Sequence, residues 1–370
     1  MKKLLALVLA LVMVFAFTAC KAEETPNTPD EDKTPVGDEE NKDNETVTEA
    51  EYKLGMGVSV SMDSSAAGNA QVDATVATVV LDAEGKIVSC RIDVAQNKMD
   101  VTDGAVDTAA TFKTKMEKGD EYGMAGKIDN DGDGVMKEWY EQAKAFEAYV
   151  VGKTGAEVEA MQTQELNGHN VTVDTELLAA GCSMDIVEFK NAVVMACKDE
   201  QTMSFKTAEE FTLGVAANTV ADESVAATAE ANGTVAMYSD FAATVIGKDG
   251  KILAALNDAI QPKITIDAAG EIVEKAYTAT KRNLKENYNM ATYGASMDND
   301  GDGRVLEWYI QSEAFSKYVA GMTGAEVGAM QTQELGGHNV SVDTELLSAG
   351  CTIQITGITA VVAEAAANAR

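Results

Sequence analysis

The chain has 370 residues, 46% of them hydrophobic, and a formal net charge of −31. Binding a phosphate backbone needs clustered Lys and Arg, which this chain lacks, so nucleic acid is excluded as a partner and cations or neutral molecules are favoured. The length is ample for two cores of ordinary size.

Lys2 and Lys3 precede an apolar run from Leu4 to Phe17, which ends in Thr18, Ala19 and Cys20. This is the layout of a secretory signal whose cleavage leaves a cysteine first. The run is shorter than the roughly 20 residues a spanning helix needs. It resembles a lipobox, with Phe17 where lipoboxes usually carry Leu. The resemblance implies a lipoprotein signal peptide over 1–19 and lipidation of Cys20 by a diacylglyceryl group and, on its amine, a fatty acyl chain such as palmitate. More than one acyl chain makes anchoring stable. The expected location is the cell membrane, lipid-anchored on its extracytoplasmic face. Residues 20–50 hold three of the four prolines, Pro26, Pro29 and Pro35, among acidic and polar residues. With almost nothing apolar to bury, such a stretch reads as an acidic disordered tether.

The remainder is written twice. DNDGDG followed by EWY occurs at Asp129 to Tyr140 and again at Asp298 to Tyr309, and each copy runs on into TGAEV, AMQTQEL, GHNV, VDTELL and AGC. Two tandem homologous domains are expected, 51–200 and 201–370, each with its own core and joined near 198–206, where KDEQTMSFK is polar.

Each copy opens on a hairpin. VDATVATVVLD, AEGK and IVSCRIDV alternate apolar and polar residues about a Gly-containing turn, with Val88, Cys90, Ile92 and Val94 on one face. FAATVIG, KDGK and ILAAL repeat the pattern. Helical segments are expected over Ala109 to Met116 and Ile272 to Leu284. After the acidic loop, Trp139, Phe146 and Val150 share a helical stripe, as do Trp308, Phe315 and Val319, with Gly152 and Gly321 where those helices stop. Thr154 with Glu157, and Thr323 with Glu326, have capping-box spacing and start further short helices. Each copy should end in a strand, CSMDI or CTIQI, and a last helix, Phe189 to Ala196 or Ile358 to Ala369. The fold class is α+β, each unit a small antiparallel sheet with packed helices.

The acidic loop carries explicit chemistry. Asp129, Asp131 and Asp133, with Gly134 next, occupy positions one, three, five and six of an EF-hand-like loop, as do Asp298, Asp300, Asp302 and Gly303. Position twelve, where a bidentate carboxylate belongs, is Tyr140 or Tyr309, and the shared acid falls instead at position ten, as Glu138 or Glu307. Three aspartates in five residues repel one another unless a cation or water screens them, which favours calcium. The alternative is a plain Asn/Asp/Gly turn with an Asp as helix N-cap.

His169 and His338, the only histidines, sit on turns with no nucleophile or titratable partner in the pattern, so a binding protein is expected rather than an enzyme. Cys90, Cys182, Cys197 and Cys351 have no zinc spacing and are expected as buried thiols, and Met124, Met161, Met195, Met290 and Met330 as core filling.

SAGCT at Ser348 to Thr352, leading into TAVVAEAAANA, resembles the SGAT turn and closing helix of bacterial FMN-binding domains, and AAGCS at Ala179 to Ser183 is its counterpart. The resemblance implies that Thr352 and Ser183 are where flavin phosphate would attach. Cys182 or Cys351 replaces Ala, and Leu177 or Leu346 stands where that motif has an acid. EGKI, DGKI and MKEWYEQ also make the chain similar to tandem-repeat lipoproteins of Gram-positive anaerobes, over nearly the whole of both copies. Two functions follow: a surface-tethered protein whose paired modules hold a small molecule or cell-surface partner, stiffened by calcium, or an extracytoplasmic FMN-binding electron carrier.

Overall fold

Apolar runs rich in Val, Ile and Ala become strands here because both faces of the two larger sheets find cover. The computed structural model describes residues 49–125, 129, 132, 134, 136–290, 292, 298 and 301–370, and those from 49 onward belong to one compact unit. The signal segment, Cys20, the tether to residue 48, Asp131, Asp133 and Asp300 lie outside the described residues.

The first repeat runs β1 (Ala50–Ser61), β2 (Asn69–Leu81), β3 (Ile87–Asp100), α1 (Lys115–Lys118), α2 (Trp139–Val150), α3 (Gly155–Glu159), the hairpin β4 (Thr163–Leu166) and β5 (His169–Thr172), α4 (Thr175–Ala179) and α5 (Val187–Ala196). Next come β6 (Thr202–Thr207), β7 (Phe211–Val220), β8 (Gly233–Ala236), β9 (Tyr238–Gly247), β10 (Ile252–Ile260), β11 (Lys263–Ile266) and β12 (Ile272–Ala276). The chain continues with α6 (Lys281–Leu284), α7 (Trp308–Tyr318), α8 (Gly324–Gly328), the hairpin β13 (Thr332–Leu335) and β14 (His338–Ser341), α9 (Thr344–Ser348) and α10 (Thr356–Ala367). No described helix is long and apolar enough to cross a membrane.

The fold is α+β, with antiparallel sheets ordered β3-β2-β1-β6 and β10-β9-β7, a smaller sheet β12-β11-β8, and the two hairpins. Strand alternation puts Leu54, Met56 and Val58 of β1 and Val72, Ala74 and Val76 of β2 into one core with Leu213 and Val215 of β7 and Phe241, Ala243 and Val245 of β9. The opposite faces go to helices: Val79, Ile87, Cys90 and Ile92 pack on Trp139, Phe146 and Phe189, while Ala216, Ala242 and Ile252 pack on Trp308, Phe315 and Val361. The result is four layers, helix, sheet, sheet and helix, in which the middle core belongs to both repeats.

The helices approach the sheets closely because glycine faces them. A Cβ on Gly55 would lie 2.0 Å from the Ala196 carbonyl oxygen, and one on Gly214 would lie 1.8 Å from that of Ala365.

Several expectations are corrected. Val88 is exposed, because a register shift at Val80/Leu81 puts Ile87 in its place on the buried face with Cys90, Ile92 and Val94. Ile272–Ala276 pairs with β11 as a strand, leaving only Lys281–Leu284 helical. In the first repeat the helix begins at Lys115, where Thr114 and Glu117 form a capping box. Cys182–Ile186 is not a strand, since the N–H groups of Ser183 and Met184 donate to Gln142 Oε1 rather than to a neighbour. Segment 198–206 takes in all of β6 but its last residue, and β6 pairs with β1 from Ala50↔Thr207 to Gly55↔Thr202. The stripes of α2 and α7 and the capping boxes of α3 and α8 form as the spacing predicts.

Candidate functional site

Between hairpin and acidic loop the repeats share a second motif: Thr114-Lys115, Tyr122 and Met124 recur at the same spacing as Thr280-Lys281, Tyr288 and Met290. Each threonine caps a single helical turn, accepting from Glu117 N or Asn283 N. Each turn is pinned to its sheet by a buried aspartate. Asp93 Oδ1 accepts from Val94 N at 2.7 Å and Met116 N at 3.1 Å, and Asp258 Oδ1 from Ala259 N at 2.8 Å and Arg282 N at 3.0 Å. The lysine after the cap is thereby held against the aromatic start of the next long helix.

Lys281 is 6% exposed. Its Nζ stands 4.9 Å from the Tyr238 ring centroid, 4.8 Å from Tyr288 and 5.3 Å from Trp308, and donates to Tyr238 Oη at 3.2 Å. An ammonium has three donors, and among the described residues that hydroxyl is its one hydrogen-bond acceptor; ring faces and open space take the rest. Lys115 repeats the arrangement more loosely, partly buried, 4.9 Å from Tyr122 and 5.6 Å from Trp139.

Burial dominates the electrostatics. It pushes the Lys281 ammonium well below its ordinary range, opposed by Asp240, Asp258 and Glu223. It raises the carboxyls of Asp240 and Asp258, opposed by Lys281 and Arg282 respectively. Asp93 is pushed up to about 6 by burial, against hydrogen bonds from Thr114, Met116 and Val94. Beside Lys281 opens a cavity of about 450 Å³, walled by Tyr238, Tyr277, Tyr288 and Met290, with Lys263 and Glu223 also lining it.

The acids at loop position ten are spoken for by backbone. Glu138 Oε2 accepts from Met124 N at 2.9 Å and Oε1 from Ala125 N at 3.1 Å, and Glu307 Oε2 accepts from Met290 N at 2.9 Å. They fasten the Lys-Tyr-Met segment to the helix start. Asp129 Oδ1 accepts from Gly132 N at 2.8 Å and Oδ2 from Gly134 N at 3.1 Å; Asp298 Oδ2 accepts from Gly303 N at 3.0 Å. Asp302 pairs with the Arg304 side chain. Asp298 Oδ1 is buried with no hydrogen-bond partner among the described residues, a donor that suits a cation. Among the described residues no three His, Cys, Asp or Glu side chains gather as a metal site.

Ser183 and Thr352 are buried, 4% and 6% exposed, and their N–H groups donate to Gln142 and Gln311 at 3.0 and 2.8 Å. Covalent attachment of a flavin phosphate would need these turns to open. Burial pushes the Cys182 and Cys351 thiols up to about 12, so both stay protonated and inert. Cys90, Cys182, Cys197 and Cys351 are free thiols, three buried and Cys197 partly so. His169 is exposed and His338 partly so, each at the strand edge of a two-residue turn.

Sequence reading passed over Lys115 and Lys281 because a lysine after a threonine looks like a solvated helix start; the signal that finds them is the shared Thr-Lys-to-Tyr-x-Met spacing. No protein-family profile matches the chain, and no solved structure matches it significantly. The chain is 34% identical over 99 residues to a chlorophenol reductase of Desulfitobacterium hafniense, a similarity that covers 23% of this chain and spans 29% of that protein's length.

Proposed function

We propose that the protein is a lipid-anchored, extracytoplasmic binding protein of two tandem modules, which holds a small molecule beside Lys281. The carrying observation is Lys281 itself: a buried ammonium with one hydrogen-bond acceptor among the described residues, set on the wall of a cavity of about 450 Å³. Buried cations demand partners, and a concave site with a few converging polar groups is where ligands bind. Anchoring rests on the signal-like start and Cys20. Native mass spectrometry of the protein from its own host should detect a non-covalent small-molecule adduct, lost in Lys281→Met. A clickable fatty acid should tag the wild type and not Cys20→Ala. A host-purified protein with no adduct sinks the binding reading, and a tag that persists on the variant sinks the anchoring.

The second reading is an FMN-bearing electron carrier. Its support is the SAGCT turn and the local likeness to a protein named as a reductase. The burial of Ser183 and Thr352 speaks against covalent flavin. A yellow protein, with flavin mass on either residue, would favour this reading over the first.

A further inference from the structure

We propose that the cavity beside α6 binds one small aromatic carboxylate per chain, its carboxylate on Lys281 Nζ and its ring against the tyrosine walls, and that the first repeat has no equivalent site. This rests on the binding-protein reading and gives it a ligand class and a stoichiometry.

The cavity wall carries Lys263 and Lys281 against Glu223, while Asp240 and Asp258, which do not line it, also act on Lys281. The Lys281 ammonium meets one hydroxyl and three ring faces. A carboxylate entering from the cavity would give Nζ a direct charged hydrogen-bond acceptor, whereas Asp240, Asp258 and Glu223 act on it through space, and charge-assisted hydrogen bonds are the strong ones.

Shape gives the rest of the ligand. Tyr238, Tyr277 and Tyr288 present three rings and Met290 an apolar wall, surfaces suited to a flat apolar body. Tyr277 has φ of +64°, a left-handed conformation costly for an aromatic residue, and is 61% exposed, so neither local preference nor burial explains it. It sets a ring at the cavity, with Lys263 Nζ 5.9 Å from its centroid.

The asymmetry between repeats fixes the stoichiometry. Aligning EGKI with DGKI puts Asp73 where the second repeat has Tyr238, and Thr75 where it has Asp240. In the first repeat β2 and β3 stay paired out to Asn69↔Asp100, whereas β10 ends its pairing with β9 at Ile260↔Ser239 and hands on to β11. The same alignment puts Lys98 where the second repeat has Lys263, but Lys98 lies within the long β2–β3 pairing, whereas Lys263 opens β11 of a three-stranded sheet with no counterpart among the described residues of the first repeat, and Tyr277 follows β12 of that sheet. Lys115 keeps two aromatic neighbours but has neither that sheet nor a tyrosine hydroxyl in Tyr238's place.

The test is equilibrium dialysis with 4-hydroxybenzoate, beside its amide and 4-hydroxybenzylamine. Expected are one equivalent of benzoate per chain, amide affinity weaker by about tenfold or more, and no amine binding. Lys281→Met should lose about tenfold or more, Lys281→Arg should retain most of the binding, and Lys115→Met should change nothing. Circular dichroism of each variant identifies any folding failure, and Lys263→Ser, on an exposed residue, should still weaken binding severalfold. Two equivalents per chain, or a Lys115→Met effect equal to that of Lys281→Met, would overturn the single site. Amide or amine binding as tight as benzoate would overturn the ligand class while leaving the binding-protein reading intact. No binding of any probe at ~10 mM, a weak limit for a pocket of this size, overturns the proposal itself, and the adduct experiment above then judges the broader reading separately.

Discussion

Arg370 grips Glu147 through both terminal nitrogens, Nη1 to Oε2 at 3.1 Å and Nη2 to Oε1 at 3.2 Å, and so ties the second repeat to helix α2 of the first. Glu147 is 3% exposed and also accepts from Ile92 N at 2.9 Å. Burial raises its pKa despite Arg370 and Arg91. Removing the arginine leaves the buried carboxylate with Ile92 N and the more distant Arg91, 3.9 Å away, so Arg370→Ala should cost about 1 to 3 kcal/mol in urea unfolding. Adding Glu147→Gln should recover part of the loss, because a buried charge that Arg91 only partly compensates goes with it. Equal losses in both variants would show that the contact matters through packing alone.

The same joint recurs along the molecule. Asn97 Nδ2 donates to Thr219 Oγ1 at 3.0 Å and Gly68 N to the Gly270 carbonyl at 3.0 Å, both between repeats. With the middle core shared as well, calorimetry should give one transition for 51–370. Phe241→Ala, at a fully buried site, should lower that transition as a whole by about 3 to 5 kcal/mol. Two transitions, only one of them moved, would mean the repeats unfold separately.

What the sequence made legible was local. Hairpin turns, capping boxes and the Trp helices are each written within about a dozen residues, and all are found. The sharing of one core was hidden, because alternation such as VDATVATVV is equally compatible with a second sheet or a helix layer on either face. β6 was missed because only Phe205 and Thr207 of its six residues are buried. Val88 was misplaced by a one-residue shift, which flips side chains across a sheet. The Lys281 site was unreadable beyond its motif, since its tyrosine walls come from β9, from the residue after β12 and from the segment after α6.

Glycine in β1 and β7 sets the distance from sheet to helix. Gly214→Ala drives a methyl group into the Ala365 carbonyl and Gly55→Ala into that of Ala196, so α10 or α5 must move. Each should destabilise by about 1 to 3 kcal/mol. Thermal melts that match the wild type would show the helices able to shift freely.

Stability should carry the mark of Asp93. Its carboxyl titrates at about 6 when folded against an ordinary 3.8, so the folded state holds that proton more tightly. The contribution is fully present below about 4 and is lost as pH rises through about 6. Its size is on the order of 2 to 3 kcal/mol. Asp240 and Asp258 are raised too and act in the same sense. Relative to the wild type, Asp93→Asn should therefore lose less stability in urea unfolding as pH rises across this range. An unaltered slope in that variant would remove Asp93 from the account.

Asp129 has both carboxylate oxygens on backbone N–H groups of its own loop, whereas Asp298 leaves Oδ1 buried and without a hydrogen-bond partner among the described residues. A buried carboxylate oxygen left so is costly unless a cation meets it. Calcium should raise the melting temperature by mass action, and Asp298→Ala should remove more of the rise than Asp129→Ala, the double variant removing all of it. Magnesium should do less, because it demands near-octahedral geometry and sheds water reluctantly. With Glu138 and Glu307 engaged by backbone amides, neither loop gains an uncommitted bidentate carboxylate from position ten, so half-saturation is expected near millimolar calcium, as in weak extracellular modules. A wild-type melting temperature unmoved at ~10 mM calcium, above that range, would make both loops plain turns whose aspartates only cap the backbone.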